Sequence, residues 1–410
     1  MKFFEGANKI FFVGIAGIGM SALARFFKAK GFEVLGTDST ESALCLELQA
    51  EGINVKIGHG EVPKDVDLLI YSEAVPQDNI ELERARDLEI PTLTYFEALG
   101  KVAESFHLVA IAGTHGKSTT TSMLGLILTA AGFDPTVIVG TKVKEFGNKN
   151  IRVGESDLIL VEACEYRRNF LHLKPDLLGI LNVEMDHLDY FKSYEDYEKA
   201  FQQFADQSRE VVWPEDVSEY EGELTVPGEH NLLNAAMAAN LARKLQVPEQ
   251  IIASALKEFS GVWRRFEYCG TSCGALVYDD YAHHPTEIMA TLQAAREKHP
   301  EARIVAVFQP HQYSRTAALF DDFAESFEDA DEVIIADIYE ARDTDEDKAA
   351  VSAEKLADAI PEAQHISGME KIAHYLLDTL NEGDMVLVMG AGNITNLIPM
   401  ILDEGGVGGV

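Results

Sequence analysis

Short apolar runs alternate with amphipathic stretches of helical length along nearly the whole chain, and this rhythm restricts the fold more than any other feature. "KIFFVG", "EVLGTD" and "LLIYS" are separated by "MSALARFFKAKG" and "ESALCLELQAEG" and followed by "IELERARDLEI". The pattern restarts near 100–105 with "LVAIAG" and runs through "LILVE", "LLGILN", "YEDYEKAFQQFADQ" and "NLLNAAMAANLARKL". It restarts again after "WRRFEYCG" with "ALVYDD", "PTEIMATLQAAREKH", "RIVAVFQ", "FDDFAESFEDA", "EVIIADIY" and "MVLVMG". Strands that alternate with helices build parallel sheets with crossover helices. The expectation is an α/β chain of three domains, 1–104, 105–265 and 266–410, each a largely parallel sheet with crossover helices. Such sheets gather ligands at the carboxyl ends of their strands.

The chain has 410 residues, 47% of them hydrophobic, enough to bury several cores. Its formal net charge of −34 excludes nucleic acid and an anionic membrane surface as expected partners, because both need a positive field. Four scattered thiols, Cys45, Cys164, Cys269 and Cys273, fit a reduced, cytoplasmic protein and form no zinc pattern. The N-terminal "MKFFEGANKIFFVG" has no small-residue cleavage site, and no apolar run approaches the roughly 20 residues of a membrane span. No signal peptide and no integral membrane association are therefore expected. The tail "DEGGVGGV" is expected to fray.

Two glycine turns carry the chemistry. "FVGIAGIGMSALA" follows a strand and opens a helix, close to the dinucleotide pattern Gly-x-Gly-x-x-Gly but with Ala16 at the second glycine. Asp38 ends the next strand, about 20 residues on, where a ribose-binding acid is expected. Glycines let the backbone approach a diphosphate, and the helix N-terminus offers amides and a positive dipole end. The turn is expected to bind the pyrophosphate of a nucleotide whose identity the motif leaves open, NAD included. "AGTHGKSTTTSML" is the second: Gly113, Gly116 and the helix expected from Ser118 offer amides to ATP phosphates, Lys117 a charge, and Ser118 a hydroxyl for Mg²⁺. For a metal carboxylate, composition favours Glu162 at the end of "LILVE" over His187 of "NVEMDHLDYF", since imidazole is a minor Mg²⁺ ligand.

The second loop is shorter than the common phosphate loop and has a histidine inside it. With "EACEYRRNFLHLKPD", "NVEMDHLDYF", "PGEHNLLNA", "GVWRRFEY", "YDDYAHHPTE", "FQPHQYSRT" and "MGAGNI", it resembles the Mur ligases, the ATP-dependent amide-forming enzymes of peptidoglycan synthesis. The resemblance runs from about residue 8 to residue 398. It is closest to the branch that joins L-alanine to UDP-N-acetylmuramate. What it implies is a Rossmann-like UDP-sugar domain, a P-loop-type ATPase domain and a Rossmann-like amino-acid domain. It implies ATP and Mg²⁺ as cofactors, UDP-N-acetylmuramate and L-alanine as substrates, and a monomer or homodimer. By the same resemblance Gly113, Thr114, His115, Gly116, Lys117, Ser118 and Thr119 cradle the phosphates. Ser118, Glu162 and His187 ligate Mg²⁺. His230, Asn231, Asn234 and the hinge Arg265 meet the nucleotide, and Gly14, Gly17, Gly19 and Asp38 hold the UDP. Asp280, Tyr281, His283 and Arg315 close over nucleotide and acyl substrate.

Three departures stand out. Cys164 replaces an acidic residue, Gln312 stands where some members carry a substrate-binding arginine, and Gln202 where later-acting relatives carry a carbamylated lysine. His230 follows His187 by only 43 positions, so a small β subdomain is expected to be missing. Mechanistically, a carboxylate must become an acyl phosphate before an amine can displace it, and Lys117, Mg²⁺ and Arg265 are suited to neutralise the charge. His283 or His284 is a candidate to take the amine proton, against the plainer reading of two histidines before a proline as a helix cap. The sister reading is a ligase that attaches a preformed peptide to the same sugar nucleotide. A second is a Rossmann dehydrogenase using the first turn for NAD, and a third is a non-catalytic UDP-sugar sensor.

Overall fold

The computed structural model describes residues 2–341 and 343–402, so the glycine-rich tail lies outside the described residues. Three sheets follow one another along the chain. The first has five parallel strands in the order Asn54–Ile57, Glu33–Asp38, Lys9–Val13, Leu68–Tyr71, Thr92–Thr94. Its chain order reverses beside Lys9–Val13, the strand that leads into the first glycine turn. The second has six strands in the order Val211–Val212, Leu177–Ile180, His107–Ala112, Leu158–Glu162, Thr136–Val143, Lys149–Arg152. All pair in parallel except the last, an antiparallel edge. The third has six strands in the order Glu267–Ser272, Ala275–Asp280, Met385–Met389, Ile304–Phe308, Glu332–Ile335, Ala363–His365, again with one antiparallel edge, Glu267–Ser272.

The expected α/β architecture of parallel sheets is thus found, with two antiparallel edges added. Central strands such as Ile304–Phe308 and Met385–Met389 are buried along their whole length, as a sheet covered on both faces requires. Boundaries shift locally. The first helix is Ile18–Ala29, and Gly31, with φ 91, turns the chain out of it. The strand expected to reach Asn182 stops at Ile180, and the loop helix starts at Lys117. Asn54–Ile57, Thr92–Thr94 and Lys149–Arg152 are short and mostly not apolar, so tertiary pairing rather than pattern makes them strands.

The chain divides into two compact units. One comprises Met1–Glu184, Tyr194–Glu223 and Asn234–Phe259; the other comprises Met185–Ser193, Leu224–Leu233 and Ser260–Val410. The first unit holds both the first and second sheets. Its two halves are joined through the first helix, which lies against Thr136–Val143 and Lys149–Arg152. Arg25 on that helix is buried and donates to Glu51 at 3.0 Å, to Glu47 at 3.2 Å and to Asn150 Oδ1 at 2.7 Å. Asn150 in turn donates to Ser21 Oγ at 2.9 Å. A buried guanidinium satisfied this fully fixes two surfaces in one register. The second unit packs the third sheet between two apolar layers, one around Phe308, Phe323 and Leu356 and one around Val307, Leu376 and Leu397. Among the described residues no helix is long and apolar enough to cross a membrane.

Candidate active site

In the first unit, both glycine turns sit at the carboxyl ends of central strands. Gly14 follows Lys9–Val13 with φ 77, and a Cβ there would lie 3.2 Å from Ser72 Cβ, on the neighbouring strand end. The amides of Gly14 and Ile15 both donate to Thr37 O at 2.9 Å. Asp38 accepts from the Ala16 amide at 2.9 Å, so the expected ribose acid also holds the turn itself. Gly17 is the N-cap of the first helix, and Gly19 lies in its first turn under the Tyr95 ring.

The second turn follows His107–Ala112 and opens the 14-residue helix Lys117–Ala130. Gly113 and Gly116 have φ of 141 and 83, a region L side chains avoid. Space forbids a side chain as well. A Cβ on Gly113 would be 2.9 Å from Leu181 Cβ, and one on Gly116 would be 2.2 Å from Asn234 Oδ1. Asn234 also accepts from Thr120 Oγ1 at 3.2 Å, so it is brought to this loop. Asn182 brackets the turn, accepting the His115 amide at 2.9 Å and donating to His115 O at 3.2 Å. Thr114 Oγ1 lies 2.8 Å from Glu184 O and 2.9 Å from Tyr197 Oη. Thr119 faces inward, buried, one turn into the helix.

Lys117 does not point freely into solvent. Its Nζ donates to Gly113 O at 2.6 Å and Thr114 O at 2.9 Å, and pairs with Glu165 Oε2 at 3.0 Å. Burial alone would lower its pKa, but Glu165 leads the opposing charges and the net shift is upward. The ammonium is therefore permanent at neutral pH. Ser118 Oγ donates to Glu162 Oε1 at 3.0 Å, and the other Glu162 oxygen accepts the Gly140 amide at 2.6 Å. Two hard oxygen donors side by side, one of them a carboxylate, suit a Mg²⁺ ion. Glu165, Asn182 and Tyr197 escaped sequence reasoning. Only Glu165 left a signal, as a second carboxylate three positions after Glu162.

The second unit holds the remaining candidates. His187 has φ 54, and its amide donates to Asp186 Oδ1 at 2.6 Å. Asp186 is buried and also accepts Arg315 Nη2 at 2.9 Å and Nε at 3.2 Å. Burial raises its pKa, but Arg315, His187 and His283 outweigh it and hold the carboxyl well below the usual range. Asp280 is buried, with one oxygen on the Phe266 amide and the other on the Ala282 amide, each at 2.7 Å. Burial pushes its pKa up to about 6, against the opposing charge of Arg265. Tyr281 lies under the guanidinium groups of Arg264, at 5.1 Å, and Arg265, at 5.4 Å. Arg265 also pairs with Glu287 at 3.4 Å. His283 Nδ1 stands 3.0 Å from Tyr281 O and 3.1 Å from Glu287 Oε2. His284 caps the helix Pro285–Lys298 by accepting the Thr286 amide at 3.4 Å, which gives the plainer reading of the histidine pair to its second member. His230 opens the helix Glu229–Lys244, and burial, helped by Arg265, lowers its pKa to about 4, so it is neutral at pH 7. Asn231 donates to Pro227 O at 2.7 Å. Gln312, in place of an arginine, donates to Ala341 O at 2.9 Å.

Comparison with known sequences and structures completes the picture. Three family models match in succession: "Mur ligase family, catalytic domain" over residues 9–107, "Mur ligase middle domain" over 111–219, and "Mur ligase, glutamate ligase domain" over 264–392. The UDP-N-acetylmuramate–L-alanine ligase of Caldanaerobacter subterraneus is 38% identical over 456 aligned positions, covering 98% of each chain. That of Clostridium novyi is 39% identical, covering 97% of this chain and 98% of its own. An alignment of 456 positions over a 410-residue chain means the relatives carry insertions absent here. The crystal structure of the UDP-N-acetylmuramate–alanine ligase from Thermotoga maritima superposes with a TM-score of 0.82 at 30% identity, covering 96% of this chain and 98% of its own. A murein peptide ligase from Psychrobacter arcticus shares the fold, with a TM-score of 0.71 at 22% identity.

Proposed function

The chain belongs to the Mur ligase family, and from that premise we propose that it joins L-alanine to UDP-N-acetylmuramate at the expense of ATP, releasing ADP and phosphate. The reaction is acid–amine ligation through an acyl phosphate, a step in peptidoglycan precursor synthesis. The observation that carries the reading is the cradle at 113–118: two left-handed glycines, a helix N-terminus and a pre-paired lysine, with Ser118 and Glu162 in contact beside it. Backbone amides of that turn bind ATP phosphates. Lys117 exchanges Glu165 for a phosphate oxygen and offsets charge as two anions approach.

Ser118, Glu162 and His187 are the residues we assign to hold Mg²⁺, which when bound would supply further positive charge to offset the phosphates. Gly14, Gly17, Gly19 and Asp38 are assigned to the UDP. Gly113, Thr114, His115, Gly116, Lys117, Ser118, Thr119, His230, Asn231, Asn234 and Arg265 are assigned to ATP. Asp280, bound to two amides, positions Tyr281 and His283 beside the amine, and Arg315 anchors the turn that carries His187. The neutral His230 leaves the nucleotide region free of one more charge. Three domains bounded near residues 104 and 265 fit the succession of sheets and family matches. The reaction is assigned to the cytoplasm, where free thiols persist.

The test is ADP release from purified protein given UDP-N-acetylmuramate, ATP and Mg²⁺, with L-alanine, glycine, L-serine or a tripeptide as amine. L-alanine alone is expected to support fast turnover. A preference for the tripeptide would transfer the chain to the peptide-attaching branch, and no ATP consumption with any amine would end the reading.

A further inference from the structure

Tyr95 is not part of either glycine turn, yet its ring lies on one of them. It begins the helix Tyr95–Ala103 directly after the edge strand Thr92–Thr94. A capping box fixes that start: Thr94 Oγ1 accepts the Glu97 amide at 3.3 Å, and Glu97 accepts the Thr94 amide at 2.8 Å. The ring is thereby directed across the first turn of the helix Ile18–Ala29. A Cβ on Gly19 would lie 2.6 Å from Tyr95 Cζ and 2.9 Å from its Oη. Gly19 has ordinary helical φ, so this position lacks a side chain because the tyrosine occupies its space.

The phenol also feels the charge beside the second cradle. The carboxylates of Glu162 and Glu73 and the thiol of Cys164 act on it, and Glu162 is the carboxylate in contact with Ser118. Burial comes first, with these three groups after it, in raising the phenol's pKa, so the group remains a neutral O–H donor. Among the described residues no hydrogen-bond partner takes that donor. The first unit thus holds an uncommitted phenol seated on the first glycine turn, under the influence of the glutamate that contacts Ser118.

We propose that Tyr95 Oη donates a hydrogen bond to the acid arm of the sugar nucleotide, holding its carboxylate on the line from the first cradle to the Ser118–Glu162 pair. The inference rests on the function proposed above and names a substrate contact within it. A neutral donor suits the place. A lysine or arginine there would pair with Glu162 or Glu73 and be lost to the substrate, and an acid would repel the carboxylate. A hydroxyl satisfies an anionic oxygen without adding charge to a site that already contains Lys117.

Tyr95→Phe isolates the hydroxyl, since the ring keeps its seat on Gly19. Binding of UDP-N-acetylmuramate without ATP, and ADP release with each substrate varied, are measured on wild type and variant. The expected result is a loss of about tenfold to a hundredfold in kcat/KM for the sugar nucleotide, the range of one hydrogen bond to a charged group. KM for ATP and the melting temperature stay at wild-type values. If wild type turns over and Tyr95→Phe matches it, the proposal is overturned while the ligase reading stands. A loss spread over both substrates with a lowered melting temperature also overturns it, in favour of packing. If wild type itself releases no ADP with any amine, the ligase reading fails first and the Tyr95 contact with it.

Discussion

Gly116 gives the sharpest test of how the proposed ATP cradle is built. Its φ of 83 costs an alanine about 1–2 kcal/mol in backbone conformation alone. The added Cβ would lie 2.2 Å from Asn234 Oδ1, so the carboxamide has to retreat by about 1 Å and release Thr120. That adds about 1–2 kcal/mol of overpacking and lost hydrogen bonding. Gly116→Ala should therefore cost about 3 kcal/mol and weaken ATP binding, because the retreat shifts the same loop that we propose cradles phosphate. Asn234→Ala alone should cost about 1 kcal/mol, the worth of one hydrogen bond. In the double variant the collision is gone and only the backbone term and the lost bond remain. The two changes should thus be sub-additive by about 1–2 kcal/mol. The assay is urea unfolding of the full chain together with KM for ATP from ADP release. Strict additivity, or a Gly116→Ala protein as stable as wild type, would refute the reasoning.

Other consequences can be measured alongside. Lys117→Ala should abolish ADP release while UDP-N-acetylmuramate still binds, as calorimetry can read. Removing one partner of the buried Lys117–Glu165 pair leaves an uncompensated charge, so Glu165→Gln should lower stability by about 3 kcal/mol, and Lys117→Gln/Glu165→Gln should recover much of it. Arg25→Ala should loosen the union of the first two sheets, read as faster hydrogen exchange along Ile18–Ala29 and Lys149–Arg152, with the third sheet unchanged. Asp280, with a folded pKa of about 6 against about 3.9 unfolded, holds its proton more tightly when folded. Its contribution is full below about pH 4 and is lost as pH rises through 6. Relative to Asp280→Asn, wild-type stability should fall by about 3 kcal/mol across that window and run parallel above it, as unfolding midpoints at fixed pH will show.

Much of this protein was legible in the chain itself. Alternating strand and helix patterns announced three largely parallel sheets, because periodicity is a local property that burial enforces residue by residue. The glycines at 14, 113 and 116 announced tight turns, and all three adopt positive φ. Ser118 and Glu162 were expected at one place, and parallel neighbouring strands put them there, since Glu162 ends one strand and the loop to Ser118 leaves the end of its neighbour. What the tertiary structure alone decided were pairings across long sequence distances. Lys117 rests on Glu165, Asn234 closes over Gly116, Arg315 holds Asp186, and Tyr95 occupies the space that Gly19 leaves open. Short edge strands such as Thr92–Thr94 likewise carry no pattern of their own and exist through their neighbours. The physical reason is the same in each case. A turn or a helix start is fixed by the conformational limits of a few adjacent residues. The partner of a buried charge, amide or ring depends on which distant segment the packed core delivers to it.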